Sequence, residues 1–427
     1  MASRVFWRRS ATAAWVYGAV ILGVVGTVVA SRVLGLRDFG LYITALTAVG
    51  FFQVLLDLTV EEPLTKFGFR YVVGEEWGKL RRLFVRALQL KCAGGVLAAL
   101  ALAALAPFAD GLFGADGLTT AILVGSLLPL VQGPENVGST ALLLHGRYDL
   151  RGAYQAFAMA LRLTAIVIAA PYGVTETIAA IVVAQAISTV AVSLAGLVAF
   201  RRFPALPSQP LGEERREVVS FVLQSSAGTG VISLRTTLVP LVLGIVAGPT
   251  QVGLFRIAQT PQTGLVAASS PARLMLLTDQ TRAWERGLEK GVLAGVRTYT
   301  LIAAGLMVVA VPLALWAMPW LVELVFGAEY LGAVDAARIV LLAAAIQFAL
   351  GWSKSLPVTI GRPRLRIVTH GLEAVVVIPL AAVLGAEWGA TGAAIAVLAA
   401  TLVFAAAWAV AIARLRIDVA SRGPVVQ

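Results

Sequence analysis

Long apolar stretches alternate with short polar breaks along almost the whole chain. A helix needs about 20 mostly apolar residues to cross the hydrocarbon core of a bilayer. The pattern predicts such helices at residues 11–30, 39–60, 87–107, 118–144, 153–171, 174–200, 218–246, 251–278, 294–316, 333–357, 367–385 and 388–413. That makes twelve, six on each side of residues 201–216, whose prolines and mixed charge mark a linker. The expected layout is a first lobe over 1–203, a cytoplasmic linker over 204–217 and a second lobe over 218–427. The first stretch, ending in Val28-Val-Ala30, imitates a secretory signal. Its length suits a retained span better than a signal core of roughly 7–15 residues.

The edges of these helices repeat. Val33-Leu-Gly-Leu-Arg-Asp-Phe-Gly-Leu-Tyr42 returns as Val246-Ala-Gly-Pro-Thr-Gln-Val-Gly-Leu-Phe255, and Leu112-Phe-Gly-Ala-Asp116 returns as Val325-Phe-Gly-Ala-Glu329, both at an offset of 213. Gly146-Arg-Tyr-Asp-Leu-Arg151 matches Gly361-Arg-Pro-Arg-Leu-Arg366 at 215, and Gly173-Val-Thr-Glu-Thr-Ile178 matches Gly389-Ala-Thr-Gly-Ala-Ala394 at 216. Matches in one order, with a drift of so few residues, indicate a duplicated half, a common build among membrane transporters. With six helices each, both halves enter the membrane in the same direction. The expected result is two side-by-side bundles with a cleft between them.

Composition and charge sharpen this picture. Apolar residues make up 59% of the chain and charged residues 13%, where a soluble domain carries about a quarter charged. With the N-terminus inside, cytoplasmic ends and loops hold 28 of the 34 basic residues, Lys91 among them, while outer loops hold Arg32 and Arg37. This positive-inside asymmetry places both termini in the cytoplasm. It also accounts for the net charge of +11 without a nucleic-acid partner, since anionic inner-leaflet lipids are partners enough. The lone Cys92 excludes an intramolecular disulfide, and two histidines with one distant cysteine build no zinc site.

Ionisable groups at membrane depth are expensive, so each is a candidate for function. Arg162 falls near the middle of the fifth predicted helix, Arg235 near the middle of the seventh, and Arg256 in the eighth with Gln259 on its face. A guanidinium is always charged and donates in a fork, which suits a phosphate head. On the second helix Tyr42, Gln53 and Asp57 share a stripe, and the fourth carries Gln132-Gly-Pro-Glu-Asn136. The expected substrate-binding set in a central cavity is Arg256, Arg235, Arg162, Gln259, Gln53 and Tyr42. Asp57 and Glu135 are candidates for ion or proton coupling. The arginines could instead pair with Asp57 or Glu135 and hold helices together, and Arg235 projects away from the Ser226, Thr229, Ser233 and Thr237 stripe of its own helix. Glu373 and Lys354 fall near enough to the inner surface to snorkel, and Arg338 does the same at the outer side.

Chemistry for catalysis is missing from the text of the chain. Gly74-Glu-Glu-Trp-Gly-Lys-Leu80 lacks the spacing and hydroxyl of a P-loop. No Gly-x-Ser-x-Gly or His-Glu-x-x-His occurs. The expectation is a transporter without cofactor or metal, not an enzyme.

Ala30-Ser-Arg-Val-Leu-Gly-Leu-Arg-Asp-Phe-Gly-Leu-Tyr42, Tyr71-Val-Val-Gly-Glu-Glu-Trp-Gly-Lys-Leu80, Phe326-Gly-Ala-Glu-Tyr330 and Gly361-Arg-Pro with Gly389-Ala-Thr-Gly-Ala-Ala394 resemble the polysaccharide-biosynthesis membrane proteins. These are the O-antigen and exopolysaccharide flippases of the multidrug/oligosaccharidyl-lipid/polysaccharide exporter superfamily. The resemblance implies an all-α integral membrane protein of the bacterial inner membrane, with twelve transmembrane helices in two six-helix lobes arranged in a V. It implies alternating access and transfer of a polyprenyl-diphosphate-linked oligosaccharide from the cytoplasmic to the outer leaflet, with polymerase or glycosyltransferase partners. A cation-coupled multidrug or small-solute antiporter of the same superfamily is the main alternative. A membrane component of a polysaccharide polymerase or ligase is another.

Overall fold

The computed structural model describes residues 2–266, 280, 283, 284, 286, 288–360, 362 and 364–421, with side chains for all of these except 2–10, 231, 232, 234, 235, 358 and 418–421. Helices dominate, and no strand occurs among the described residues. The chain forms two compact units, Met1–Thr237 and Leu238–Gln427.

In the first unit, α1 (Ala2–Leu56) is two helices joined at Gly35, where φ 74° and ψ 170° leave the helical region. Next come α2 (Glu61–Val73) and α3 (Trp77–Phe113). The fourth span is broken into α4 (Leu118–Gly125), α5 (Leu127–Gln132) and α6 (Glu135–Leu144). The last break falls at Pro134, as a residue lacking an N–H predicts. Then follow α7 (Tyr148–Ala169), α8 (Val174–Phe200) and the first part of α9 (Glu214–Ala247). The second unit contains α10 (Pro249–Ala258), α11 (residues 260–266), α12 (Glu289–Phe326), α13 (Val334–Ala349), α14 (Leu356–Thr359) and α15 (Arg364–Ser421). A break at Gly389 makes α15 two helices.

The twelve predicted spans are recovered with altered ends; the remainder of the eighth lies outside the described residues. Helices such as α3 and α12 start well before their apolar windows. Hydropathy sees the part in hydrocarbon, while Lys, Arg and Glu continue a helix into the headgroups at little cost. Seven helical stretches of the described residues are long and apolar enough to cross a membrane, among them Ala11–Leu56 and Arg364–Ile417, which each hold two spans.

The repeat is written in the backbone. Gly35 and Gly248 have φ 74° and 85° with ψ 170° and 166°. Gly114 and Gly327 also have positive φ, as do Gly173 and Gly389. An L side chain resists these conformations, so glycine at matched positions turns the chain at matched points.

Within the first unit α1 packs along α7, α7 along α8, and α6 along α8. Lipid tails are as apolar as leucine, so close packing, not exclusion from water, must hold these helices together. A Cβ added to Gly196 on α8 would stand 2.5 Å from the backbone of Gly138 on α6. Only glycine permits that crossing.

At one end of this unit the linker is docked. Gln209 N–H donates to Gly78 O at 3.0 Å, and Phe203 stacks on Trp77 and on His145, centroids 5.4 and 4.0 Å away. Arg70 of α2 makes a bidentate pair with Glu217 of α9 at 2.8 and 3.0 Å. The Tyr71 hydroxyl donates to Glu214 at 2.7 Å. That hydrogen bond holds the Glu214 carboxyl below its usual range. Burial, and then Glu214, pushes the Tyr71 hydroxyl above its own.

In the second unit α13 packs against α12 and α15, and Val292 and Val296 of α12 join Trp352, Leu356, Phe404 and Trp408 in a buried apolar core. The Arg338 side chain is 40% exposed and lies 3.4 Å from Asp335. Its Nε donates to Leu315 O at 3.2 Å, the carbonyl that Pro319, four residues on, cannot serve.

Candidate functional site

Polar groups gather inside the first unit where α1 ends. Gln53 and Asp57 come from that end, Lys91 from α3, Gln132 and Glu135 from the two sides of the Gly133-Pro134 break, and Gln185 and Thr189 from α8. Glycines bring these backbones together. A Cβ on Gly94 would lie 3.0 Å from both Leu56 O and Asp57 Oδ1, and one on Gly133 would lie 3.2 Å from Lys91 O.

Lys91 Nζ donates to Asp57 Oδ2 at 2.5 Å. The lysine side chain is 6% exposed and the aspartate 22%. Lys91 therefore does not belong with the cytoplasmic-end charges, where its sequence position put it. It is a buried partner that neutralises Asp57. The other carboxylate oxygen, Oδ1, is buried with no hydrogen-bond partner. Gln185 Nε2 donates to Glu135 Oε2 at 2.7 Å and lies 3.1 Å from Thr189 Oγ1. Gln53 Nε2 donates to Gln132 Oε1 at 2.9 Å. The structure thus joins Gln53, Asp57 and Glu135 to partners that helical-face reasoning did not supply, namely Gln132, Lys91 and Gln185. An acidic oxygen left open beside a neutralised pair can accept a proton or a small cation.

The remaining candidates are dispersed. Tyr42 is 3% exposed, in the core of its unit near Phe39. Arg162 is half-buried on α7 and makes no hydrogen bond or ion pair with any described residue. Arg235 belongs to α9, and its side chain lies outside the described residues. Arg256 is exposed on α10, between buried Phe255 and Ile257. Gln259 ends that helix, half-buried, and its carbonyl accepts from Thr263 Oγ1 at 3.3 Å. The second unit also has a chain of amides, Gln262 donating to Gln347 at 3.0 Å and Gln347 to Thr401 at 3.1 Å.

Glu373 overturns its expected snorkelling. It is 2% exposed and His370, 7% exposed, lies beside it, with Nδ1 3.2 Å from Oε2. Their spacing of three on one helix face was the signal available in the sequence.

Comparison with known proteins places this arrangement. The model of a family described as polysaccharide biosynthesis protein matches residues 7–271. The chain belongs to that family. A curated relative, the inner membrane protein YghQ of Escherichia coli (strain K12), is 34% identical over 123 residues, which cover 27% of this chain and 32% of that protein. The match thus spans about a third of the relative's length. Among solved structures, an inward-facing multidrug resistance MATE family transporter of the MOP superfamily aligns with TM-score 0.71 at 14% identity, over 93% of this chain and 95% of that one. The lipid II flippase MurJ, in an inward closed conformation, aligns with TM-score 0.67 at 11% identity, over 96% and 90%. This family member therefore has the multi-pass membrane fold of those transporters.

Proposed function

We propose that this protein is a flippase of the bacterial inner membrane, with both termini cytoplasmic. By alternating access it moves a polyprenyl-diphosphate-linked oligosaccharide from the cytoplasmic to the outer leaflet for polysaccharide export. Membership of a polysaccharide biosynthesis family, in a chain with a transporter fold, supports this class of substrate. The observation that carries the choice is the balance of charge at membrane depth in the first unit. Its carboxylates are engaged, Asp57 by Lys91 and Glu135 by Gln185, whereas the Arg162 guanidinium has no partner among the described residues. A half-buried cation without a counter-charge suits an anionic head and repels a cationic drug.

In this reading Arg162, Arg235 and Arg256 bind the diphosphate, and Gln53, Tyr42 and Gln259 bind sugar or carrier. Asp57 and Glu135 carry the coupling ion or proton. The lobes run over 1–203 and 218–427 with 204–217 joining them, and a glycosyltransferase or polymerase supplies or receives the cargo. Substituting Arg162, Arg235 and Arg256 singly by Ala, and assaying polysaccharide display beside dye efflux, tests it. Display should fall at least tenfold for one or more variants with efflux unchanged. Intact display with lost efflux in all three would instead establish a multidrug exporter.

A further inference from the structure

Helix α9 begins in the first unit and ends in the second: it runs over Glu214–Ala247, and the units divide between Thr237 and Leu238. Its first turns are held by α2 and the segment leading into α2. Arg70 forks onto Glu217 at 2.8 and 3.0 Å, and Lys66 reaches the same carboxylate at 4.0 Å. The Lys66 ammonium also lies 4.2 Å from the centroid of the Phe221 ring, which meets Phe67 edge-on at 5.7 Å. Ser225 Oγ donates to Glu62 Oε2, and Thr59 N–H donates to Ser226 Oγ at 2.9 Å. Beneath these polar groups Val218 and Val222 share a buried cluster with Leu64, Phe67 and Tyr71.

We propose that this contact is a releasable latch, which parts and re-forms in each transport cycle. The inference rests on the alternating-access reading: a helix shared by two units that move against each other must either leave its seat or bend. The seat is built to be left. Another face of α2 is fixed by close packing, since a Cβ added to Gly68 would stand 2.9 Å from Leu144 of α6. Toward α9 the same helix presents long charged side chains instead. Those of Arg70, Lys66 and Glu217 are 43%, 45% and 48% exposed, so water can take over each charge when the helices part. Exposed ion pairs hold a geometry while adding little to its stability, whereas parting a buried pair such as Lys91 with Asp57 would strand a charge. The hydrogen bonds from Arg70 hold the Glu217 carboxyl below its usual range, so both partners stay charged at neutral pH and can pair again. The arginine fork gives the returning carboxylate a defined register.

Two measurements on the full chain in lipid test the latch, both in a Cys92→Ser background. Spin labels at exposed Val73 of α2 and Val219 of α9 report the separation of the two helices by electron–electron double resonance in nanodiscs. Two distance populations are expected. Arg70→Glu should raise the longer one several-fold, and Arg70→Glu with Glu217→Arg should return it to its starting value. A single short distance in every variant overturns the latch. For transport, Thr59→Cys with Ser226→Cys places two thiols at the Thr59–Ser226 contact. In proteoliposomes holding a fluorescent polyprenyl-diphosphate sugar, oxidation of that pair to a disulfide should abolish flipping, and reduction should restore it. Flipping that survives oxidation places the movement in a bend of α9, at Gly228 and Gly230 where an added Cβ would meet nothing within 4 Å, and overturns the latch. Two distance populations in a protein that flips no such lipid, oxidised or reduced, leave the latch standing and remove the flippase reading.

Discussion

The two units carry the same backbone punctuation and different polar contents. Gly35, Gly114 and Gly173 in the first, and Gly248, Gly327 and Gly389 in the second, hold positive φ at corresponding points. Against that shared frame, the first unit neutralises its buried charge between helices, Lys91 of α3 reaching Asp57 beyond α1. The second places its buried pair three residues apart on one helix, His370 with Glu373. A pair between helices fixes how those helices sit, and removing either partner strands a charge. The contact between His370 and Glu373 itself bridges no second helix. Duplication thus supplied the scaffold, and divergence placed an ion pair between helices in one copy and a histidine–carboxylate contact within one helix in the other.

This contrast breaks most readily at Lys91. Lys91→Met leaves Asp57 buried without its counter-charge and should cost about 3–5 kcal/mol. The double variant Lys91→Met, Asp57→Leu should recover most of the loss. His370→Gln, which leaves Glu373 beside a neutral hydrogen-bonding amide, should cost less than half as much. Unfolding of the purified protein in mixed micelles, followed by tryptophan fluorescence, measures all three. Equal losses at Lys91 and His370 would erase the distinction between the units.

The shared frame is tested next. Gly35→Ala and Gly248→Ala each force an L residue into a left-handed conformation, at about 1–2 kcal/mol apiece. Comparable losses in both variants are expected from the duplication; a large loss in one alone would show that the copies no longer bear equivalent turns. The docked end of the first unit should respond more weakly. Tyr71→Phe removes one hydrogen bond to Glu214 and should cost about 1 kcal/mol. Because Glu214 is held below the usual carboxylate range in the folded protein, its stabilisation is complete above the ordinary carboxylate range and is lost as pH falls through the depressed value. Tyr71→Phe should flatten that acid limb of a stability–pH curve.

What was legible in the sequence follows from what is local. Span count, the break at Pro134 and the turn glycines depend on residues next to one another, and they read correctly. Lys91 did not, because its position just inside a run of basic residues matches a headgroup anchor; only its tertiary partner Asp57 shows otherwise. The candidate set was legible residue by residue but not as a constellation. Gln53, Asp57 and Glu135 find their partners on other segments, Tyr42 is packed in the core, and periodicity on one helix carries no record of its neighbours. Glu373 was misread for the opposite reason, since His370 on the same face was sufficient to signal a buried pair.

The smallest expected effect separates the units at a single carbonyl. Pro319 leaves Leu315 O without its helical donor, and Arg338 Nε fills the vacancy from α13 at 3.2 Å. In the first unit, 213 residues earlier, the corresponding positions are Ala106 and Gly125; α3 carries its proline one place on, at Pro107, and the arginine has no counterpart. Instead a Cβ on Gly125 would meet Val49 at 3.0 Å. Arg338→Gln should therefore cost about 0.5–1.5 kcal/mol, the worth of one hydrogen bond. Pro319→Ala, by restoring the backbone N–H, should make the same substitution at Arg338 nearly neutral. The coupling between the two positions in a double-mutant cycle is the measurement. A coupling near zero would mean that Arg338 serves its neighbour Asp335, 3.4 Å away, and not the carbonyl that the proline set free.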